Sequence, residues 1–565
     1  MSDGSGAKPA PGGSDSSNAR GAAEQVGDAL TPTAVASRRD LVGLSASEMA
    51  RQIAAGTLSS VELIEAHIRR IETVNPSLNA LVVPLFAQAR AEAIAADKAQ
   101  RQGQPLGLLH GVPITIKECF HVAGTAATEG VERFAGEIMT SDAPLVRRLR
   151  SAGAIVLGKT NVPQLMLIHE TDNPIYGRTS NPWHLERSPG GSSGGEAAII
   201  AAGGSPLGLA NDLGGSIRQP AHSCGICGIK PTTMRLTNAG VRDNLHGMEA
   251  IRPQPGPLAR NVEDLYLALR LLTAGEPNAI DPQTAPVPLG DPALVRVAKL
   301  RIGVWTDDGF FSASPAIRRA VSEAAEALRG LGAHVEPFQP PDPTHAMGLY
   351  LGLLSADGTA DAIRILGRGR RDWRIQRLIR LGKSPSWLRA ALRVSLSALG
   401  QRSTAQLLGW IGSLSADRYW QLSAARAAYA QQFFDMWSAR DLGVMICPPH
   451  ALPALRHGSM EHLVTAASYC YWANLLGVPA GVVPATRVRA DEQSDRPLSR
   501  DLVLRAARAV EVASSGLPVG VQVAARPWRE DVALAVMAAL ESHFRSRPDF
   551  PHTPVTPAAV SVVNA

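Results

Sequence analysis

From Leu44 to Val82 the apolar positions recur at helical spacing: Met49 and Ile53, then Val61, Ile64, Ile68 and Ile71, with His67 on the same face. Ser60, with Glu62 and Glu65 just beyond it, gives a start signal for the second of two amphipathic helices. The period then changes. LHGVPITIKECF, Leu109 to Phe120, alternates as a strand does. Thr115, Lys117 and Cys119 fall on one face, and Ile114, Ile116 and Glu118 on the other. A short apolar run follows at Ala154 to Leu157, and helical and β-branched runs alternate to about residue 300. RIGVWTD, HVEPF and VGVQVAA add strands downstream. This alternation predicts an α/β protein with a mixed sheet. Asn278 to Asp291, rich in Pro and Gly, reads as a loop, and Ala490 to Asp501 as a charged surface insertion.

Composition changes the picture in four places. Residues 1–36 are rich in Gly, Ser, Ala and Pro without an apolar run, which predicts a disordered tail with no signal-peptide core. Nowhere do 18 unbroken apolar residues occur, so no membrane-spanning helix is expected. The five cysteines are odd in number and scattered over 565 residues, which argues against a disulfide framework and for a reducing compartment. Finally, the net charge of +6 is unevenly placed. Arg364 to Ser415 holds eleven Arg/Lys against Asp372 alone, a net +10, so the remainder is acidic. A single basic segment of this kind points to a local anionic partner.

Three motifs carry candidate chemistry. GAIVLGKT, Gly153 to Thr160, matches a phosphate-binding loop letter for letter. Its middle residues are Ala, Ile, Val and Leu, which favour the strand itself, so a buried strand and turn is the better reading. HSCGICG contains His222, Cys224 and Cys227, but no second pair completes four metal ligands; small buried cysteines fit better. The third is SPGGSSGGEAAIIAAGGSPLGLANDLGGSIRQPAHSCGICGIKPT, from Ser188. Its Gly-Gly pairs flank a helix-forming run with Glu196 in the first turn, so they do not act as a linker. Successive amides at Leu213 to Ser216 can converge on one anion, which suits a serine nucleophile among backbone donors. No acid–histidine pair is legible near it. A buried lysine, pushed toward its neutral form, is the other available base, and Lys117 alternates away from Glu118.

This 45-residue stretch resembles the signature of the amidase signature family of serine hydrolases, a long and specific pattern. The resemblance extends from about Leu44 to about residue 550. ITIKECF, NVPQLM, PAGVVP and GLPVGVQVAARPWRE resemble its fatty acid amide hydrolase branch. The resemblance implies one α/β domain over residues 37–555, a twisted mixed sheet of about eleven strands between helices, with a C-terminal tail at 556–565. It also implies hydrolysis of carboxylic acid amides, of hydrophobic N-acyl amides in particular, through a Ser-cisSer-Lys triad and an acyl-enzyme. Ser216 falls on the nucleophile, Ser192 on the proton relay with a cis bond from Gly191, and Lys117 on the general base. Leu213, Gly214, Gly215 and Ser216 fall on the oxyanion amides, Met166 and Ser192 on substrate-lining positions, and Asp212 and Arg218 on a supporting ion pair. Neither cofactor nor metal is implied. Asn211 stands where the family usually has threonine, so one supporting hydrogen bond is open. The alternatives are a glutaminase subunit of a tRNA-dependent amidotransferase and a small-amide or aryl-acyl amidase.

Within the basic segment, taken as a helical cap at 364–415, Leu388, Leu392, Leu396 and Leu399 keep helical spacing with Trp387 at one end. Leu407, Leu408, Ile411 and Leu414 repeat the pattern with Trp410. Two core helices with a solvated basic edge would look the same. The charge and the tryptophans favour an anionic membrane surface, with Trp387, Leu388, Leu392, Trp410 and Ile411 as the docking face. The expected setting is cytoplasmic, peripheral on the inner face of the membrane. A small-molecule amide is the expected substrate; no nucleic acid partner is indicated, and a homodimer is compatible with the sequence.

Overall fold

The computed structural model of the chain describes residues 41–242, 245–275 and 281–557. The 1–36 tail, 278–280 of the expected loop and 558–565 of the C-terminal tail lie outside the described residues.

The strands in chain order are β1 Leu81–Pro84, β2 Pro113–Lys117, β3 Ile155–Thr160, β4 Asp172–Asn173, β5 Gly177–Arg178, β6 Leu207–Asp212 and β7 Cys227–Lys230. They continue with β8 Gln254–Ala259, β9 Arg301–Val304, β10 His334–Pro337, β11 Val444–Cys447, β12 Ala480–Arg487 and β13 Pro518–Ala525. β4 and β5 form a small ribbon; the other eleven form one sheet in the order β1-β3-β2-β6-β8-β7-β12-β13-β11-β9-β10. The runs β3-β2-β6 and β11-β9-β10 are parallel and every other pairing is antiparallel. The α/β class with a mixed sheet is therefore as expected. Strands β2, β3, β6, β8 and β13 are buried at every position, which requires cover on both faces. Helices Arg218–Cys224, Pro315–Gly330 and Glu530–Arg545 supply part of that cover over β12 and β13.

Both N-terminal helices form, at Ala46–Ala54 and Ser60–Leu78. The cap of the second is Ser59, one residue before the expected start, and its hydroxyl accepts the Glu62 N–H at 3.0 Å. Asp97 takes the Ser60 N–H at 2.6 Å, so a distant carboxylate finishes the cap. GAIVLGKT is strand through its lysine: Lys159 is buried inside β3. The loop at 490–501 is less superficial than expected, because Arg496 is buried against Glu511 at 2.9 Å.

The basic segment forms helices Trp373–Lys383, Ser386–Ala398 and Arg402–Trp410. They behave differently. The first buries Ile375 and Ile379 and the third buries Ala405 and Leu408. Helix Ser386–Ala398 buries nothing, and Trp387 is 70% exposed. Leu388 and Leu392 are also exposed. Trp410, by contrast, lies over Gly348 and within 5.9 Å of the Phe310 ring, and Ile411 is half-buried. The expected docking face thus divides: three of its residues face outward, and Trp410 and Ile411 pack into the body.

Candidate active site

Three adjoining segments build the site. β2 ends at Lys117, and β6 ends at Asp212 and opens the turn that carries Ser216. Ser192 sits in the glycine turn that enters helix Gly194–Ala201. The Gly191–Ser192 peptide is cis. Gly190 takes φ +90°, and a Cβ on Gly191 would lie 2.6 Å from the Ile168 carbonyl oxygen. Only glycine lets that turn press against the loop bearing Met166 and Ile168.

Lys117 is fully buried and its Nζ lies 2.7 Å from Ser192 Oγ. It also donates to Asn211 Oδ1 at 2.7 Å and, at 3.5 Å, to the Asn211 main-chain oxygen. Burial lowers the Lys117 ammonium to about 8, against the opposing pull of Cys119, Asp212, Glu129 and Glu196. The second serine turn is docked on the first, with Ser193 N donating to Ser216 O at 3.3 Å. The Ser216 side chain makes no hydrogen bond among the described residues and keeps 6% exposure.

Asp212 organises the Ser216 turn. It accepts Gly215 N–H at 2.8 Å and Ile217 N–H at 3.1 Å, and pairs with Arg218 at 3.0 Å. Burial works to raise the Asp212 carboxyl, but Arg218 and the hydrogen bonds overcome it and hold it well below the usual range. The Gly215 amide is thereby committed, whereas the amides of Leu213, Gly214 and Ser216 have no partner among the described residues. His169 Nε2–H donates to Gly214 O at 3.1 Å and Tyr350 Oη–H to Leu213 O at 3.2 Å, which fixes the peptide planes. Tyr471 stacks on Tyr350 at 4.2 Å.

The geometry brings Lys117, Ser192, Ser216, the 213–216 turn, Asp212 and Arg218 into one place. Met166 ends the short helical turn Gln164–Met166, just before the Ile168–Glu170 main chain that packs against Gly191, while Trp387, Leu388 and Leu392 lie apart on the surface. His222 is excluded as a base: its Nε2–H donates to Leu452 O and its Nδ1 accepts Gly520 N–H. Cys224 and Cys227 are buried thiols, and no cluster of three His, Cys, Asp or Glu fit for a metal occurs among the described residues. The sequence placed Glu196 in the first helical turn but did not show its buried partners. Its carboxylate accepts from Thr115 on β2 and, at 2.6 Å, from Thr160 on β3. Burial pushes it up to about 7. Thr115 sharing a face with Lys117 was the available signal. Tyr350 and Tyr471 left none, being far apart in the chain.

The amidase family model matches residues 62–534. The chain belongs to the amidase family. It is a hydrolase acting on amide bonds, with the amidase signature fold. A fatty-acid amide hydrolase 1 of Sus scrofa is 36% identical over 89% of this chain and 86% of its own. An indoleacetamide hydrolase of Bradyrhizobium diazoefficiens is 32% identical over 88% of this chain and 86% of its own. A solved structure of a fatty acid amide hydrolase superposes with TM-score 0.79 at 25% identity, covering 93% of this chain and 88% of that one. No helix among the described residues is long and apolar enough to cross a membrane.

Proposed function

We propose that this amidase cleaves hydrophobic N-acyl amides through an acyl-enzyme on Ser216. The 2.7 Å contact between buried Lys117 and Ser192 carries the reading. Neutral Lys117 takes the Ser192 proton as Ser192 takes that of Ser216, and Ser216 Oγ adds to the amide carbonyl carbon. The amides of Leu213, Gly214 and Ser216 receive the oxyanion, while Asp212 holds the turn through Gly215. The ammonium returns its proton through Ser192 to the leaving nitrogen. Water then attacks the acyl-enzyme by the same relay.

The acyl-amide preference is supported by the Sus scrofa relative and by a cleft that begins at Ile168, whose lining joins apolar side chains to Arg374, Arg377, Glu461 and His462. Ile168, Leu378, Leu381, Leu407, Leu408 and Val503 line it, between the body and the basic helices. We read 37–555 as one catalytic unit and 364–415 as its cap. The exposed Trp387, Leu388 and Leu392, amid basic side chains, support docking on anionic lipid, at about 1 kcal/mol per Arg/Lys near the surface. The indoleacetamide hydrolase relative favours a second reading, a short aryl amide as substrate. Purified enzyme assayed on acyl amides of graded length and on aryl acetamides decides. A kcat/KM rising with chain length supports the first reading, and a maximum at the aryl amides overturns it.

A further inference from the structure

Among the described residues, Lys117 Nζ has three oxygen partners: Ser192 Oγ, Asn211 Oδ1 and the Asn211 main-chain oxygen. They differ in kind. A hydroxyl can give or accept a hydrogen, whereas an amide or peptide carbonyl oxygen only accepts. As an ammonium, Lys117 donates to all three. Once it has lost a proton, two hydrogens and one lone pair remain, and the lone pair cannot face a carbonyl oxygen. The two Asn211 oxygens, the main-chain one at 3.5 Å and reached also by Ser193 Oγ, therefore keep both hydrogens, and the lone pair faces Ser192, which alone of these neighbours among the described residues has a hydrogen to give.

We infer that Asn211 is a positioning residue that sets the direction of proton transfer, so that Lys117 can exchange its proton only with Ser192. A threonine hydroxyl in this place would have a hydrogen of its own to offer the amine; the Asn211 oxygens have none. The orientation of the amide follows from the same contact, since the Nδ2 group would set donor against donor at 2.7 Å. Burial supports the arrangement: Asn211 is 5% exposed and Lys117 fully buried, so water is a poor substitute for either oxygen. Asn211 reaches this position because it is the next-to-last residue of β6, one before Asp212, with its side chain on the face toward β2.

The inference rests on Lys117 being the base, and its test separates the two. The other titratable groups around Lys117 are Cys119 beyond β2, Asp212 on β6, Glu196 on helix Gly194–Ala201, and Glu129; all are left unchanged. In Asn211→Leu, kcat should fall about tenfold or more, part of the ~10²–10⁴-fold typical of a general base, with KM unchanged. In Asn211→Asp the added carboxylate favours the ammonium, so the acid limb of kcat/KM should move to higher pH. Wild-type kcat in Asn211→Leu, or a wild-type acid limb in Asn211→Asp, overturns the inference. The aspartate variant decides alone should the leucine variant not fold. Lys117→Ala is the control: near-normal rate there refutes the lysine base itself. A slow Lys117→Ala with unperturbed Asn211 variants refutes the role of Asn211 alone.

Discussion

Arg374 and Glu170 form a buried ion pair, Nη1 to Oε2 at 3.0 Å, with side-chain exposures of 4% and 1%. Arg374 belongs to the basic segment; Glu170 follows His169, which holds the Gly214 carbonyl. Glu170 also accepts Gly458 N–H and Met460 N–H, and Arg374 pairs further with Asp172 and Asp372. One guanidinium thus anchors the cap to the loop beside both serine turns.

Removing it should be costly. Arg374→Met leaves buried carboxylates without a cation and should destabilise the fold by about 3–5 kcal/mol, read from the denaturant midpoint. Arg374→Lys should recover only part, since a point charge cannot replace a planar fork among three carboxylates. A wild-type midpoint in Arg374→Met would mean the pair anchors nothing.

The Lys117 base predicts a rate that rises with pH. Because burial lowers its ammonium to about 8, the active neutral form accumulates through that value, and kcat/KM should climb from pH 6.5 and level above 9. Lys117→Ala should lose the step and ~10²–10⁴-fold of the rate near neutrality. A flat wild-type profile contradicts the assignment.

Glu196 predicts a pH dependence of stability. Its folded value, about 7, lies above the ordinary 4.5, so the folded state holds the extra proton between them. That contribution is complete below 4.5 and is lost as pH rises through 7, on the order of 3 kcal/mol. Glu196→Gln, unable to ionise, should lack this loss. Denaturation at pH 5 and pH 7.5 checks it; equal losses in wild type and variant rule it out.

For the membrane surface, the fold refines which side chains to alter. Arg389 is occupied by the Ser384 carbonyl, whereas Arg380, Lys383 and Arg393 are exposed. Co-sedimentation with anionic vesicles at low salt should be lost in Trp387→Ser/Leu388→Ser and in Arg380→Glu/Lys383→Glu/Arg393→Glu, and weakened by high salt. Wild type left in the supernatant refutes docking.

Much of this was legible in one dimension. β-Branched runs such as ITIK and VGVQVA announce strands because they are buried on both faces, and the alternation of Thr115 and Lys117 placed both toward one side. The glycine turns announced themselves because Gly190 and Gly191 have no steric substitute. What stayed hidden depends on distant pairing. Asn211 read as a departure, yet its amide is the partner of Lys117. The helices at Ser386–Ala398 and Arg402–Trp410 share one apolar period; only Gly348 and Phe310, far away in the chain, decide that Trp410 is packed while Trp387 is not.

The proposed mechanism stands on Ser216 as the nucleophile. A fluorophosphonate probe followed by peptide mapping tests it most directly. The adduct should form on Ser216 in wild type and be absent in Ser216→Ala, with the variant's thermal unfolding unchanged. An adduct on another serine, or labelling that persists in Ser216→Ala, would contradict the account.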